Sequence, residues 1–102
     1  MRIYEYTAAT DSLSLKNTVN ASSNVATVAW NIDSTELAIT SNYSSAGNEF
    51  RILGFNSATY ALALKYGIDY PNNAYKVKYS NAPESYIATS DAGRYLKVYK
   101  IN

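Results

Sequence analysis

The chain has 102 residues, with nine Lys and Arg against eight Asp and Glu, and neither His nor Cys. That length suits one small domain, and a net charge of +1 creates no overall field toward nucleic acid or an anionic membrane. Without His and Cys there are no disulfides, no Ser-His-Asp or Cys-His nucleophiles, and few ways to hold zinc, copper or iron.

Short runs of apolar alternation, bounded by Asn, Ser, Asp, Gly and Pro, follow one another along the chain. They predict nine strands, over residues 2–6, 12–16, 25–30, 36–40, 49–55, 59–65, 75–79, 86–89 and 95–101. The only helix-compatible stretch, Thr59 to Lys65, reads better as alternation of Leu62 and Leu64 against Ala61 and Ala63. Residues 7–11 and 56–58 have hairpin length, and Asp91-Ala92-Gly93 is a turn with Gly available for a positive φ. The eleven tyrosines suit half-buried strands and interfaces, because each joins an apolar ring to a polar tip. The prediction is an all-β chain.

The strands repeat. Arg2-Ile3-Tyr4-Glu5-Tyr6 returns 49 residues later as Arg51-Ile52-Leu53-Gly54-Phe55, and 46 residues after that as Lys97-Val98-Tyr99-Lys100-Ile101. Val25 to Trp30 matches Ala74 to Tyr79, the turn Asn31 to Ser34 matches Ser80 to Pro83, and Leu37 to Ser41 matches Ile87 to Asp91. Apolar positions stay in step at Val28/Val77, Trp30/Tyr79, Leu37/Ile87 and Ile52/Val98. A strand repeat of this period indicates a propeller or another stacked β array, whose units cannot bury their apolar faces alone.

Ala74 to Tyr99 resembles a WD40 repeat of a β-propeller. It has a Val-x-Tyr-Ser strand end, a Pro-containing turn, Tyr-Ile-Ala-Thr-Ser-Asp, a Gly turn and Leu-Lys-Val-Tyr. Val25 to Phe55 is a looser copy. The Gly-His and Trp-Asp pairs of the family are missing, so its hydrogen-bond tetrad cannot form. The resemblance implies antiparallel four-stranded blades, with residues 1–23 as strands c-d of a preceding blade, 24–70 as a blade, and 71–102 as strands a-b-c of a following one. Two blade equivalents are too few for a ring of about four to eight, so the expected architecture is an incomplete propeller needing further blades.

The resemblance implies a non-catalytic interaction or scaffold module, completed by copies of itself or by a larger propeller. Other protein partners are compatible with it. A closing blade made of a-b-c from one copy and c-d from the next would hold one strand too many. The first fifty residues have two cations and five carboxylates, and the remainder has seven cations and three carboxylates. That asymmetry favours head-to-tail contact between copies. The alternatives are a small oligomeric two-bladed lectin and an open β-rich fibre.

Six residues are candidates for interaction. Tyr66 and Tyr70 flank Gly67 and precede Pro71, and are expected to be exposed. Lys76 and Lys78 alternate with Val77 and Tyr79, so they face solvent or acidic residues of a neighbour such as Glu36 or Glu49. A sugar site would draw on Trp30, Tyr66, Tyr70 and Asn72 or Asn73, although Trp30 shares a face with Val28 and is expected in the core. Asp33, Glu36, Asp69, Glu84 and Asp91 could supply paired carboxylates, but no spacing singles out a pair. Basic and aromatic residues from Tyr75 to Lys100 interleave as simple strand alternation does, so no nucleic-acid role is assigned. No catalytic residue, metal site or cofactor is assigned either. The sequons at Asn20 and Asn42 are weak matches. No apolar run reaches bilayer length and the first residues lack a signal-peptide core, so the default compartment is the cytoplasm.

Overall fold

The computed structural model describes residues 1–21, 24–43, 47–80, 85–93 and 95–101. Among these are nine strands: β1 (Arg2–Thr7), β2 (Ser12–Thr18), β3 (Val25–Trp30), β4 (Glu36–Ser41), β5 (Phe50–Phe55), β6 (Leu62–Ile68), β7 (Ala74–Tyr79), β8 (Ser85–Asp91) and β9 (Leu96–Ile101). They form three antiparallel sheets, β1-β2, β3-β4-β5-β6 and β7-β8-β9. The predicted all-β class is what the structure has. Among the described residues a pair of four-stranded sheets is not seen; there only the middle sheet has four strands. Among the described residues no helix is long and apolar enough to cross a membrane.

The sheets stack through two apolar clusters, one on each face of the middle sheet. Ile3 and Ala21 pack on Leu37, Ile39 and Leu53. On the other face Ala38, Phe50 and Ile52 meet Tyr70, Ala74, Tyr79 and Ile87. Strand β4 lies between both clusters and all six of its residues are buried, as expected of a strand covered on two sides. For each sheet we call the face toward the preceding strands upstream and the other downstream.

The ladders repeat pair for pair. On β1 and β2, Ile3 opposes Asn17, Tyr4 opposes Leu15 and Tyr6 opposes Leu13. On β5 and β6 the same places hold Ile52 and Tyr66, Leu53 and Leu64, and Phe55 and Leu62. The irregularity falls between Ile3 and Tyr4 in one ladder and between Ile52 and Leu53 in the other. The bulge after Val25 on β3 returns after Ala74 on β7. Beyond it, Ala29 opposite Ala38 and Trp30 opposite Leu37 become Lys78 opposite Ala88 and Tyr79 opposite Ile87. A bulge bends and twists its strand, so shared bulge positions give the units a shared curvature.

Two turns differ from the sequence expectation, those at residues 56–61 and at Gly93. Strand β6 begins at Leu62 rather than residue 59, and runs on to Ile68. The Asn56 side chain accepts the amides of Ala58 and Thr59, and Asn56 N–H donates to the Ala61 carbonyl. Those bonds close a wider turn, with Tyr60 at φ 61°. The β1–β2 and β3–β4 turns place Asp11 and Ser34 at φ 48° and 57°, and Asn31 Oδ1 accepts the amides of Thr35 and Glu36. Gly93 does not have a positive φ. It is small because an added Cβ would lie about 3.0 Å from Asn72 and from the Asp91 carboxylate. Gly93→Ala should therefore lower the melting temperature, by roughly 4–8 °C if the clash costs about 1 kcal/mol, and a thermal scan checks this. The matched turn at 81–83, Glu84 and Arg94 lie outside the described residues.

Candidate interaction interface

The joint between the middle and third sheets is a polar-aromatic network built around Tyr70. The Tyr70 ring stacks on Phe50 with centroids 6.4 Å apart, and Phe50 stacks in turn on Tyr99 at 5.9 Å. Its hydroxyl is 3.0 Å from both Thr89 Oγ1 and the Tyr99 hydroxyl. Lys97 Nζ sits 4.0 Å above the Tyr70 ring and pairs with Asp91 at 3.2 Å. Burial, then the Tyr70 hydroxyl, push the Tyr99 phenol up to about 12, so it stays protonated at ordinary pH. Burial alone would raise the Asp91 carboxyl. The Lys97 ammonium and the Gly93 and Tyr95 amides outweigh it and hold the group below its ordinary value.

Tyr70 is therefore core, at 2% exposure, and not the exposed contact residue expected from its Gly- and Pro-flanked position. Its backbone N–H donates to Glu49 Oε2 at 2.8 Å, which turns the ring inward. Glu49 is buried with it. Asp69 lies against Glu49, and their shared hydrogen bond, then burial, raise the Asp69 carboxyl. Two carboxyls in contact cannot both ionise cheaply. The raised Asp69 contributes stability that is fully present below its ordinary value and is lost as pH rises through the folded one. The lowered Asp91 does the reverse: its contribution is present above its ordinary value and is lost as pH falls through the folded one. Glu49→Gln keeps an acceptor for the Tyr70 amide and removes the repulsion. The Asp69 titration, followed by carboxyl NMR, should then move down toward the ordinary Asp value.

The other candidates do not converge on one place. Glu36 pairs with Lys65 and Glu49 is buried against the Tyr70 amide, so within one chain neither is presented toward Lys76 or Lys78. Those two lysines are exposed on the downstream face of β7. Tyr66 is exposed on β6. Trp30 is 43% exposed beside Val28 at 51%, which corrects its expected core position. The two lie upstream, next to Leu37, where the β1-β2 sheet offers only two strands. Trp30 retains an edge contact with Phe55, at 4.9 Å. Since Trp30 is upstream and Tyr66 pairs with Ile52 downstream, the residues expected to bind a sugar are split across opposite faces of one sheet.

Two features are not apparent from the alternation of the sequence. The outermost faces of the stack are open and expose large apolar side chains, beside Lys76 and Lys78 on the downstream one. Upstream, Tyr4, Tyr6, Leu13 and Leu15 are 50%, 59%, 69% and 52% exposed; downstream, Leu96 and Val98 are 74% and 62% exposed. The second feature is a cavity of about 300 Å³ beside β9, lined by Phe50, Ile52, Tyr66, Ile68 and Tyr99. It lies where β6 extends past the last strand of the third sheet. The in-step repeat is the signal that could reveal both, since Leu13 and Leu15 match Leu62 and Leu64. Among the described residues no group of carboxylates is arranged to hold a metal ion.

No family model, curated protein or solved structure matches the chain.

Proposed function

We propose that the chain is a non-catalytic scaffold module made of WD40-like propeller blades, and that other blades, supplied by copies of itself or by a larger propeller, complete it. On this reading β1-β2 are strands c-d of one blade, β3 to β6 are a whole blade, and β7 to β9 are strands a-b-c of a third. The observation that carries it is the pair-for-pair coincidence of the ladders, bulges included. Parts of the interior faces have equivalents on the outside of the stack. Ala38 and Ile52 are buried where the middle sheet meets the third, and their counterparts Ala88 and Val98 lie on the open downstream face. A face built like an interior one calls for a cover of the same kind.

Negative-stain microscopy of the purified chain tests the closed form. Discrete ring-like particles are the expected result. Extended fibrils would replace the scaffold reading with the open β-rich fibre. Binding to a glycan array that survives both Tyr66→Ala and Trp30→Ala would leave the lectin reading without its exposed aromatics.

A further inference from the structure

We infer that the β1-β2 hairpin of a second copy docks against β8, in the place held by β9 within one chain. This rests on the blade reading above and names the partner and the surface. Strand β9 repeats β1: Arg2, Ile3 and Tyr4 stand where Lys97, Val98 and Tyr99 stand. Their common counterpart in the middle sheet is β5, where Ile52 opposes Ala38 on β4, as Val98 opposes Ala88 on β8. An incoming β1 therefore brings the same alternation of faces to the same ladder, with Arg2 arriving beside Asp91 in the place of Lys97.

The hairpin fits better than β9 because it carries a second strand. In the middle sheet β6 lies beyond β5 and directs Leu62 upstream, into the cluster shared with the first sheet. Among the described residues the third sheet has no such strand beyond β9, and the cavity of about 300 Å³ lies there. Strand β2 is the counterpart of β6. With β1 beside β8, the exposed Leu13 and Leu15 of the second copy would point upstream into that cavity, against Tyr66, Ile68 and Phe50.

The same placement covers the second copy's Val28 and Trp30. Within one chain β3 and β4 cover Tyr79, the counterpart of Trp30, leaving it 6% exposed. Across copies the downstream faces of β7 and β8 take that role, with Lys76 and Lys78 in the places of Thr27 and Ala29. The lysine stems lie along the apolar face while their ammonium groups reach the indole and its polar surroundings. Strands β7 and β8 of one copy with β1 and β2 of the next make one four-stranded sheet, which removes the surplus strand.

The chain has no cysteine, so a single engineered disulfide can hold β9 in place. Ala88 and Val98 are cross-strand partners on the downstream face, within disulfide reach. For Ala88→Cys/Val98→Cys, light scattering should give 11.2 kDa when oxidised. On reduction the mass should rise about twofold to fourfold, since two blades per copy close rings of about four to eight. Hydrogen exchange of the reduced assembly should show β9 amides unprotected and β8 amides protected. Assembly in the oxidised form, or assembly with β9 still protected, would overturn the docking while leaving self-association intact. A monomer in both states, with the unmodified chain monomeric as well, would remove the second copy as the occupant. If the variant stays monomeric while the unmodified chain assembles, hydrogen exchange of the unmodified assembly decides instead: unprotected β9 amides support the docking and protected ones overturn it.

Discussion

Tyr70→Ala will destabilise the chain by about 3–5 kcal/mol, the range for deleting a large buried aromatic side chain. The ring is 2% exposed and stacks on Phe50. Its hydroxyl joins Thr89 of β8 to Tyr99 of β9. Removing it leaves a void at the joint of two sheets and takes the aromatic face from under Lys97. A domain of this size has a total stability of about 5–15 kcal/mol, so the variant sits close to unfolding. Tyr70→Phe separates the two contributions. It keeps the stacking and loses only the hydroxyl, for about 1 kcal/mol. Denaturant titration of the three proteins gives both numbers. A loss under about 1 kcal/mol for Tyr70→Ala would mean that the ring is not core. A ligand-binding defect in that variant would report unfolding, so Tyr66 and Trp30 are the aromatics to mutate in any binding test.

Leu15→Asp and Val28→Asp are expected to abolish self-association while leaving the single chain folded. Both side chains are about half exposed, at 52% and 51%, and surface substitutions of this kind cost roughly 0.5 kcal/mol or somewhat more within a strand. In the proposed assembly each would instead bury an unpaired carboxylate, at several kcal/mol. Each 1.4 kcal/mol is a factor of about ten in affinity, so association should weaken at least about a hundredfold. Light scattering over a concentration series reads the association, and circular dichroism reads the fold. Retention of assembly by both variants would place the contact elsewhere.

Much of the local structure is legible from alternation alone. Strand β3 runs from Val25 to Trp30 as its apolar pattern indicates. Strand β6 starts later than its pattern indicates. Thr59 to Ala61 alternates like a strand, yet the Asn56 side chain captures two amides there and pulls the segment into the turn. Gly93 departs from expectation for another reason. Its need for space is set by Asn72 and Asp91 across the turn, and local sequence carries no trace of that contact.

Burial is harder to read than strands. Alternation tells which residues share a face but not whether anything covers it. Val28 and Trp30 share a face with the buried Leu37, and lie open because the first sheet offers too little cover. Tyr70 is the converse case. It lies in a polar, Pro-flanked connection, and only the distant Glu49 and Thr89 explain why it turns inward. The open outer faces follow from the repeat once its equivalent positions are set against the clusters on both sides of β4.

Absolute mass in solution, by light scattering on a size-exclusion column, decides whether copies of the chain complete one another. A discrete particle of about two to four copies of the 11.2 kDa chain, stable to dilution, is the expected result. A folded monomer at micromolar concentration, with its outer faces still open, would contradict completion by copies of the chain.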